Sequence, residues 1–158
     1  NMFDSAAGLK TLDVSMFDTS HVTNMAYMFN FDSGSDLATI VGFNNFNTSK
    51  VTDMSHLFQN AKALKSLDLS KWNTNKVKFW TNILTGTDAL NNFSASSSFP
   101  KNEIPSAVKT VNIVYADGTI MQLDGTVIKP DGTVVIPTGS KPAAIDGHGN
   151  ITLPGGGV

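Results

Sequence analysis

The chain has 158 residues, 41% of them apolar and 15% charged, which is enough for one domain, or one domain and a small module, and excludes wholesale disorder. Eleven Lys and no Arg face 13 acidic residues, with Glu103 the only Glu, so a net charge of −2 offers no basic face to a nucleic acid. The absence of Cys excludes thiolate catalysis, Cys-ligated zinc and disulfides, and no apolar run approaches the about 18 residues of a membrane span.

Self-similarity dominates residues 1–93. Residues 9–29 (LKTLDVSMFDTSHVTNMAYMF), 37–58 (LATIVGFNNFNTSKVTDMSHLF) and 64–84 (LKSLDLSKWNTNKVKFWTNIL) align, and Leu90 opens an incomplete fourth copy, LNNF. Met2-Phe3 stands six residues before Leu9, as Phe58 stands before Leu64, so a repeat module truncated on its N-terminal side is expected. In the first half of copies one and three, Leu12/Val14 and Leu67/Leu69 alternate with Asp13/Ser15 and Asp68/Ser70, the period of a strand with one buried face. Copy two carries an extra residue near Gly42, which predicts a bulge or an irregular strand. In the second half, Val22, Met25 and Met28/Phe29 recur at spacings of three and four, as do Val51, Met54, Leu57/Phe58 and Val77, Trp80, Ile83/Leu84. That spacing predicts a short helix, with Ser20, Ser49 and Asn75 placed to cap it. Strand plus short helix predicts an α/β solenoid, its core built from the columns Val22/Val51/Val77 and Phe17/Phe46/Trp72.

The pattern Leu12-Asp13, Ser15, Phe17-Asp18-Thr19-Ser20, Val22-Thr23-Asn24-Met25, Met28-Phe29 resembles the BspA-type repeat of bacterial surface proteins. That repeat is also known as DUF285, or the lactobacillal surface-protein repeat, of the leucine-rich-repeat group. Residues 46–58 match its second half, with Asn47 for Asp and Asp53 for Asn, and copy three drifts at Trp72, Asn75 and Lys78-Phe79-Trp80. The resemblance implies a leucine-rich-repeat-like stack in a secreted or wall-attached bacterial protein associated with adhesion to host matrix or mucus. It places a signal segment and an anchor outside these residues; Leu153-Pro154-Gly155 lacks the Thr of a sorting motif.

Residues 94–106 (SASSSFPKNEIPS) read as a linker or cap. Residues 107–158 read as a hairpin-rich module. Here Asp117-Gly118, Asp124-Gly125 and Asp131-Gly132 stand between β-branched runs and predict a meander joined by type I′ turns. Pairing in parallel coils is the alternative for this seven-residue period. The column Asn24, Asp53, Phe79 turns from polar to aromatic, which predicts that Phe79 is at least partly buried against residues 94–116 or the tail and couples the two modules.

Catalytic chemistry finds little footing. His21, His56 and His148 occupy non-equivalent positions, and Asp13 and Asp68 share a column that holds Val41 between them. Residues 32–36 (DSGSD) lack the ligand ladder of a calcium loop. Trp72 and Trp80 stand in columns that predict core rather than sugar-stacking platforms, and the sequons at Asn47, Asn92 and Asn150 matter only in a glycosylating cell. The expected molecule is a non-enzymatic, extracellular adhesion module, a monomeric piece of a longer chain, with no catalytic, metal or cofactor site. Its expected partner is a host matrix protein, mucus or a glycan, neither a nucleic acid nor the interior of a membrane. The expected contact surface is the exposed strand face: Thr11, Asp13, Ser15, Thr39, Val41, Ser66, Asp68 and Ser70. A spacer that projects another domain from the cell wall is the alternative.

Overall fold

A computed structural model describes residues 2–3, 8–31 and 35–137, together with the backbone pairing of Ala144–Ile145 and Ile151–Thr152. The first halves of the repeats are short parallel strands. β1 (Thr11–Asp13) pairs with β2 (Thr39–Val41), and β3 (Ser66–Leu69), β4 (Asn92–Ser96) and β5 (Thr110–Val114) form a second parallel set. Register keeps like with like: Leu67, Phe93 and Val111 are paired and buried, as are Leu69, Ala95 and Ile113.

The extra residue of copy two interrupts the stack. Gly42 adopts a left-handed φ of 85°, and Phe43–Asn45 form a single 3-10 turn. β2 and β3 belong to separate sheets. The gap is bridged by a side chain, Trp72 Nε1 donating to the Phe43 carbonyl at 3.0 Å.

The expected helices are absent, and the strand-plus-helix α/β solenoid gives way to an architecture of sheet and turns. Among the described residues the only helical pieces are two 3-10 turns, Phe43–Asn45 and Lys101–Glu103. In an α-helix each amide is spent on its own chain, four residues back. Here alternate amides leave the copy for the next one. Met25, Tyr27, Phe29 and Phe31 donate to the carbonyls of Asp53, Ser55, Leu57 and Gln59 at 2.9–3.1 Å. Met54, His56, Phe58 and Asn60 donate in the same way to Phe79, Thr81, Ile83 and Thr85. The intervening amides close three-residue turns, as Met28 does onto Met25. Left-handed backbone at Tyr27, His56 and Asn82, one per copy, breaks any helix at the same step. A segment this short and this rich in Asn, Thr and Ser gains more from partners in the next copy than from a marginal helix.

Side chains complete the stacking. Phe3, Phe29 and Phe58 stack at 5.8 and 5.4 Å, and Phe58 and Phe46 both meet the Trp72 ring. Thr19, Thr48 and Thr74 form a buried hydroxyl column. Thr19 accepts from the Asn47 amide at 2.8 Å, and Thr48 donates to the Asn73 carbonyl at 3.0 Å. The Ser20 and Ser49 side chains cap no helix. The acceptors are Asp18, Asn47 and Asn73, whose side-chain oxygens take the amides of Ser20, Ser49 and Asn75 two residues on. Of the core columns, Phe46, Trp72 and Val51 are buried, Val22 and Val77 half-buried. Phe17 departs from expectation at 38% exposure: on the outer side of copy one Phe3 stacks on Phe29 and no described aromatic ring stacks on Phe17.

The sheet crosses the boundary drawn at residues 93 and 94, since Phe93 and Ala95 are consecutive buried positions of β4. Phe99, Ile104 and Val108 then close the core from its end. From β5 the sheet turns antiparallel, through β6 (Ile120–Gln122), β7 (Val127–Ile128) and β8 (Val134–Val135). The connecting turns are not type I′. Only the glycines Gly118, Gly125 and Gly132 have positive φ, while Asp117, Asp124 and Asp131 do not. Each loop is three residues closed by a left-handed glycine, a type I turn with a bulge, and each Asp accepts the amide of the Thr two residues on at 2.8 Å. Ala144–Ile145 and Ile151–Thr152 pair antiparallel.

Candidate binding surface

Six of the eight expected surface residues sit on the outward face of β1, β2 and β3, with Ser15 and Ser70 in the turns that follow β1 and β3, and they fall in two groups. Thr11 pairs with Thr39 and Asp13 with Val41 across β1 and β2. Ser66 and Asp68 lie in the other sheet, so the break after Gly42 separates them from the first group. All are exposed except Ser70, which is half-buried. Val41 interrupts the polar face with an exposed apolar side chain.

The two Asp side chains are partly spent on the backbone. Asp13 Oδ1 accepts the Ser15 amide and Asp68 Oδ1 the Ser70 amide, each at 2.9 Å. Hydrogen bonds from the Ser15 side chain and amide hold the Asp13 carboxyl below the usual carboxylate range. Asp18, Asp117 and Asp131 are lowered in the same way, by Ser20, Thr119 and Thr133. These carboxylates act as turn acceptors, not as a paired acid and base.

The polar face extends past β3, where sequence reasoning did not follow it. Asp68, Ser94 and Asn112 are register partners, and Asn112 faces Gln122. Asn112 Nδ2 donates to Ser94 Oγ at 3.3 Å, and Gln122 Nε2 to Asn112 Oδ1 at 2.9 Å. Ser66, Asn92 and Thr110 form a parallel, fully exposed row beside it. The signal was present in the alternation of NFSAS and TVNIV, but residues 94–96 had been assigned to a linker.

Phe79 is 57% exposed, so the expected coupling contact is not made by this residue. Its neighbour makes it: the Trp80 ring meets Phe99 edge-on at 5.2 Å. Phe79 contributes backbone instead, its carbonyl accepting the Met54 amide. Trp72 is buried in the core.

His21 and His56 do not converge. His21 Nδ1 lies 3.0 Å from Ser20 Oγ on the surface. His56 Nδ1 lies 2.8 Å from Gln59 Oε1, and its ring stacks on Tyr27 at 4.4 Å. His148, Asn150 and the first part of the 32–36 loop lie outside the described residues. Among the described residues no three His, Asp or Glu side chains cluster in a way that could hold a metal ion. Asn47 and Asn92 are exposed, although the Asn47 side chain is engaged by Ser49.

The chain belongs to the DUF285 family, whose model, described as "Mycoplasma protein of unknown function, DUF285", matches residues 1–115. The match runs through β5, past the third copy and onto the cap, consistent with one continuous sheet there. No curated protein and no solved structure matches the chain.

Proposed function

We propose that this member of the DUF285 family is a non-enzymatic, extracellular adhesion module that binds a host matrix protein or glycan through its outward strand face. The observation that carries the proposal is the flat polar surface spanning β3 to β6, in which hydroxyl and amide side chains of Ser66, Asn92, Thr110, Ser94, Asn112 and Gln122 stand in register. Such a surface offers repeated donors and acceptors at the spacing between strands, about 4.8 Å, and suits an extended partner better than a small molecule enclosed in a pocket. The Asn112–Gln122 and Asn112–Ser94 hydrogen bonds fix these side chains before any partner arrives, which lowers the entropy lost on binding.

The test is binding of the purified chain to a panel of mucins, matrix proteins and glycans, repeated with Asn92→Lys and Thr110→Lys combined. Both positions are exposed, so the fold should be unaffected. Loss of at least about tenfold in affinity with an unchanged melting temperature supports the face as the contact. Binding that survives the substitutions moves the contact elsewhere. Failure of the unmodified chain to bind any member of the panel favours the second proposal, a spacer that projects another domain from the wall.

A further inference from the structure

The ladder that joins the turn halves of the repeats stops after copy three, while the strand half continues into β4 and β5. This step leaves a row of donors. Met25, Tyr27, Phe29 and Phe31 donate to copy two, and Met54, His56, Phe58 and Asn60 donate to copy three. The equivalent amides of copy three are those of Trp80, Asn82, Leu84 and Gly86, and none has an acceptor among the described residues. Trp80 is covered by Phe99. Asn82 and Gly86, both half-buried, line an open groove of about 490 Å3 whose lining also holds the cap residues Ile104, Pro105 and Ala107, while Leu84 between them is fully buried.

We propose that this groove binds a peptide segment bearing basic side chains, which adds to the ladder as a fourth rung and supplies the carbonyls that the Asn82 and Gly86 amides lack. The neighbouring rungs define the geometry: alternate carbonyls, parallel direction, and the same turned path at the left-handed step of Asn82. Charge defines the side chains. Among the described residues the charged groups on the groove are Asp88 and Glu103, with no cation on its lining. A peptide carbonyl row can accept from the amides while a flanking Lys or Arg meets the carboxylates, whereas an anionic ligand would be repelled by them. A whole second copy fits less well, because β4 and β5 occupy the space that its own strands would need.

The probe is a synthetic peptide with the sequence of residues 50–61, the rung that copy two presents to copy one, carrying Ser55→Lys and Gln59→Lys; a control carries Ser55→Glu and Gln59→Glu. In the free full chain, the amides of Asn82 and Gly86 are expected to exchange hydrogen at least about tenfold faster than those of His56 and Asn60. Saturation with the Lys peptide should slow these two amides, the Glu peptide should bind more weakly, and Ala107→Trp should block the groove without lowering the melting temperature. Asp88→Asn with Glu103→Gln should abolish the preference for Lys over Glu. The proposal is overturned if the Lys peptide fails to bind at about 1 mM, or binds without protecting these amides. It is also overturned if the two amides become protected by self-association of the chain alone, since the occupant would then be a second copy.

Discussion

Replacing Gly42 by Ala tests the feature that joins copies one and two. A Cβ at this position would lie 2.4 Å from Ser15 Cα and 2.6 Å from the Ser15 amide nitrogen, both backbone atoms that cannot rotate away. The φ of 85° adds the left-handed penalty of about 1–2 kcal/mol for an alanine. Carbon atoms pack at about 3.5–4.0 Å, so relief of the contact requires about 1 Å of separation between Gly42 and the end of β1. The hydrogen bond from the Val14 amide to the Val41 carbonyl, 2.9 Å long, sits beside that contact and would stretch with it, at a further cost of about 1 kcal/mol. The expected total is about 3 kcal/mol. At about 2–4 °C per kcal/mol for a chain of this size, the melting temperature should fall by about 6–12 °C in thermal unfolding followed by circular dichroism. Gly8→Ala is the control: its φ is 86°, but a Cβ there meets nothing within 4 Å. It should show the conformational penalty alone, about 1–2 kcal/mol. If the two variants melt together, Gly42 is chosen only for its φ, and the close approach to Ser15 is not what the fold requires.

Met54 is fully buried, so Met54→Ala should cost about 2–5 kcal/mol by leaving a cavity, whereas Met16→Ala, at a side chain 93% exposed, should leave the urea midpoint unchanged. Thr48→Val keeps the shape of a buried side chain but removes the donor to Asn73, and a loss of about 1 kcal/mol in the same assay would measure the hydroxyl column. The lowered carboxyls of Asp13, Asp18, Asp117 and Asp131 make stability depend on acid. The folded state binds these protons less readily than the unfolded one, so their contribution is complete above the ordinary value of 3.8 and is lost as pH falls below it. Asp117→Asn and Asp131→Asn keep the turn acceptor without the titration, and a melting temperature that falls as steeply below that pH in the double variant would show that these turns are not the source.

The repeat and its strands were legible because burial imposes a period of two, and Leu67/Leu69 and Leu12/Val14 display it directly. The turn halves were not. Apolar spacings of three and four arise on a helix and also on successive three-residue turns, since both return a side chain to the same side at that interval. What separates them is the fate of the amides, and the sequence carries only an indirect mark of it, Asn, Thr and Ser in the segment; the left-handed step at Tyr27, His56 and Asn82 is visible only in the structure. The Asp-Gly turns were placed correctly and typed wrongly. Three-residue loops put only the glycine at positive φ, and Asp117 serves better as the acceptor of the Thr119 amide than as a second left-handed residue. Phe79 was singled out by its column, yet a register partner fixes only the backbone; its side chain faces out while Trp80 faces in.

The same distinction sorts the polar surface. Residues that recur in the repeat as Asp or Asn followed two places on by Ser, Thr or Asn are committed to turns, at positions 13, 18, 47, 53, 68 and 73. Substituting them would alter the chain path before it altered any contact. Ser66, Asn92 and Thr110 differ: they are exposed on strands whose backbone is already paired, and among the described residues no hydrogen bond holds their side chains. A binding surface can therefore change at these positions without cost to the stack. Asn112 stands between the two classes, exposed enough to meet a partner but tied to Ser94 and Gln122. If the face binds as proposed, Asn112→Ala should weaken binding while leaving the melting temperature nearly unchanged, because its hydrogen bonds are side chain to side chain and solvent can replace them. An equal loss of stability and binding would instead make the Ser94–Asn112–Gln122 chain a structural tie between the parallel and antiparallel parts of the sheet, and would leave the neighbouring row of Ser66, Asn92 and Thr110 as the only part of the face free to recognise anything.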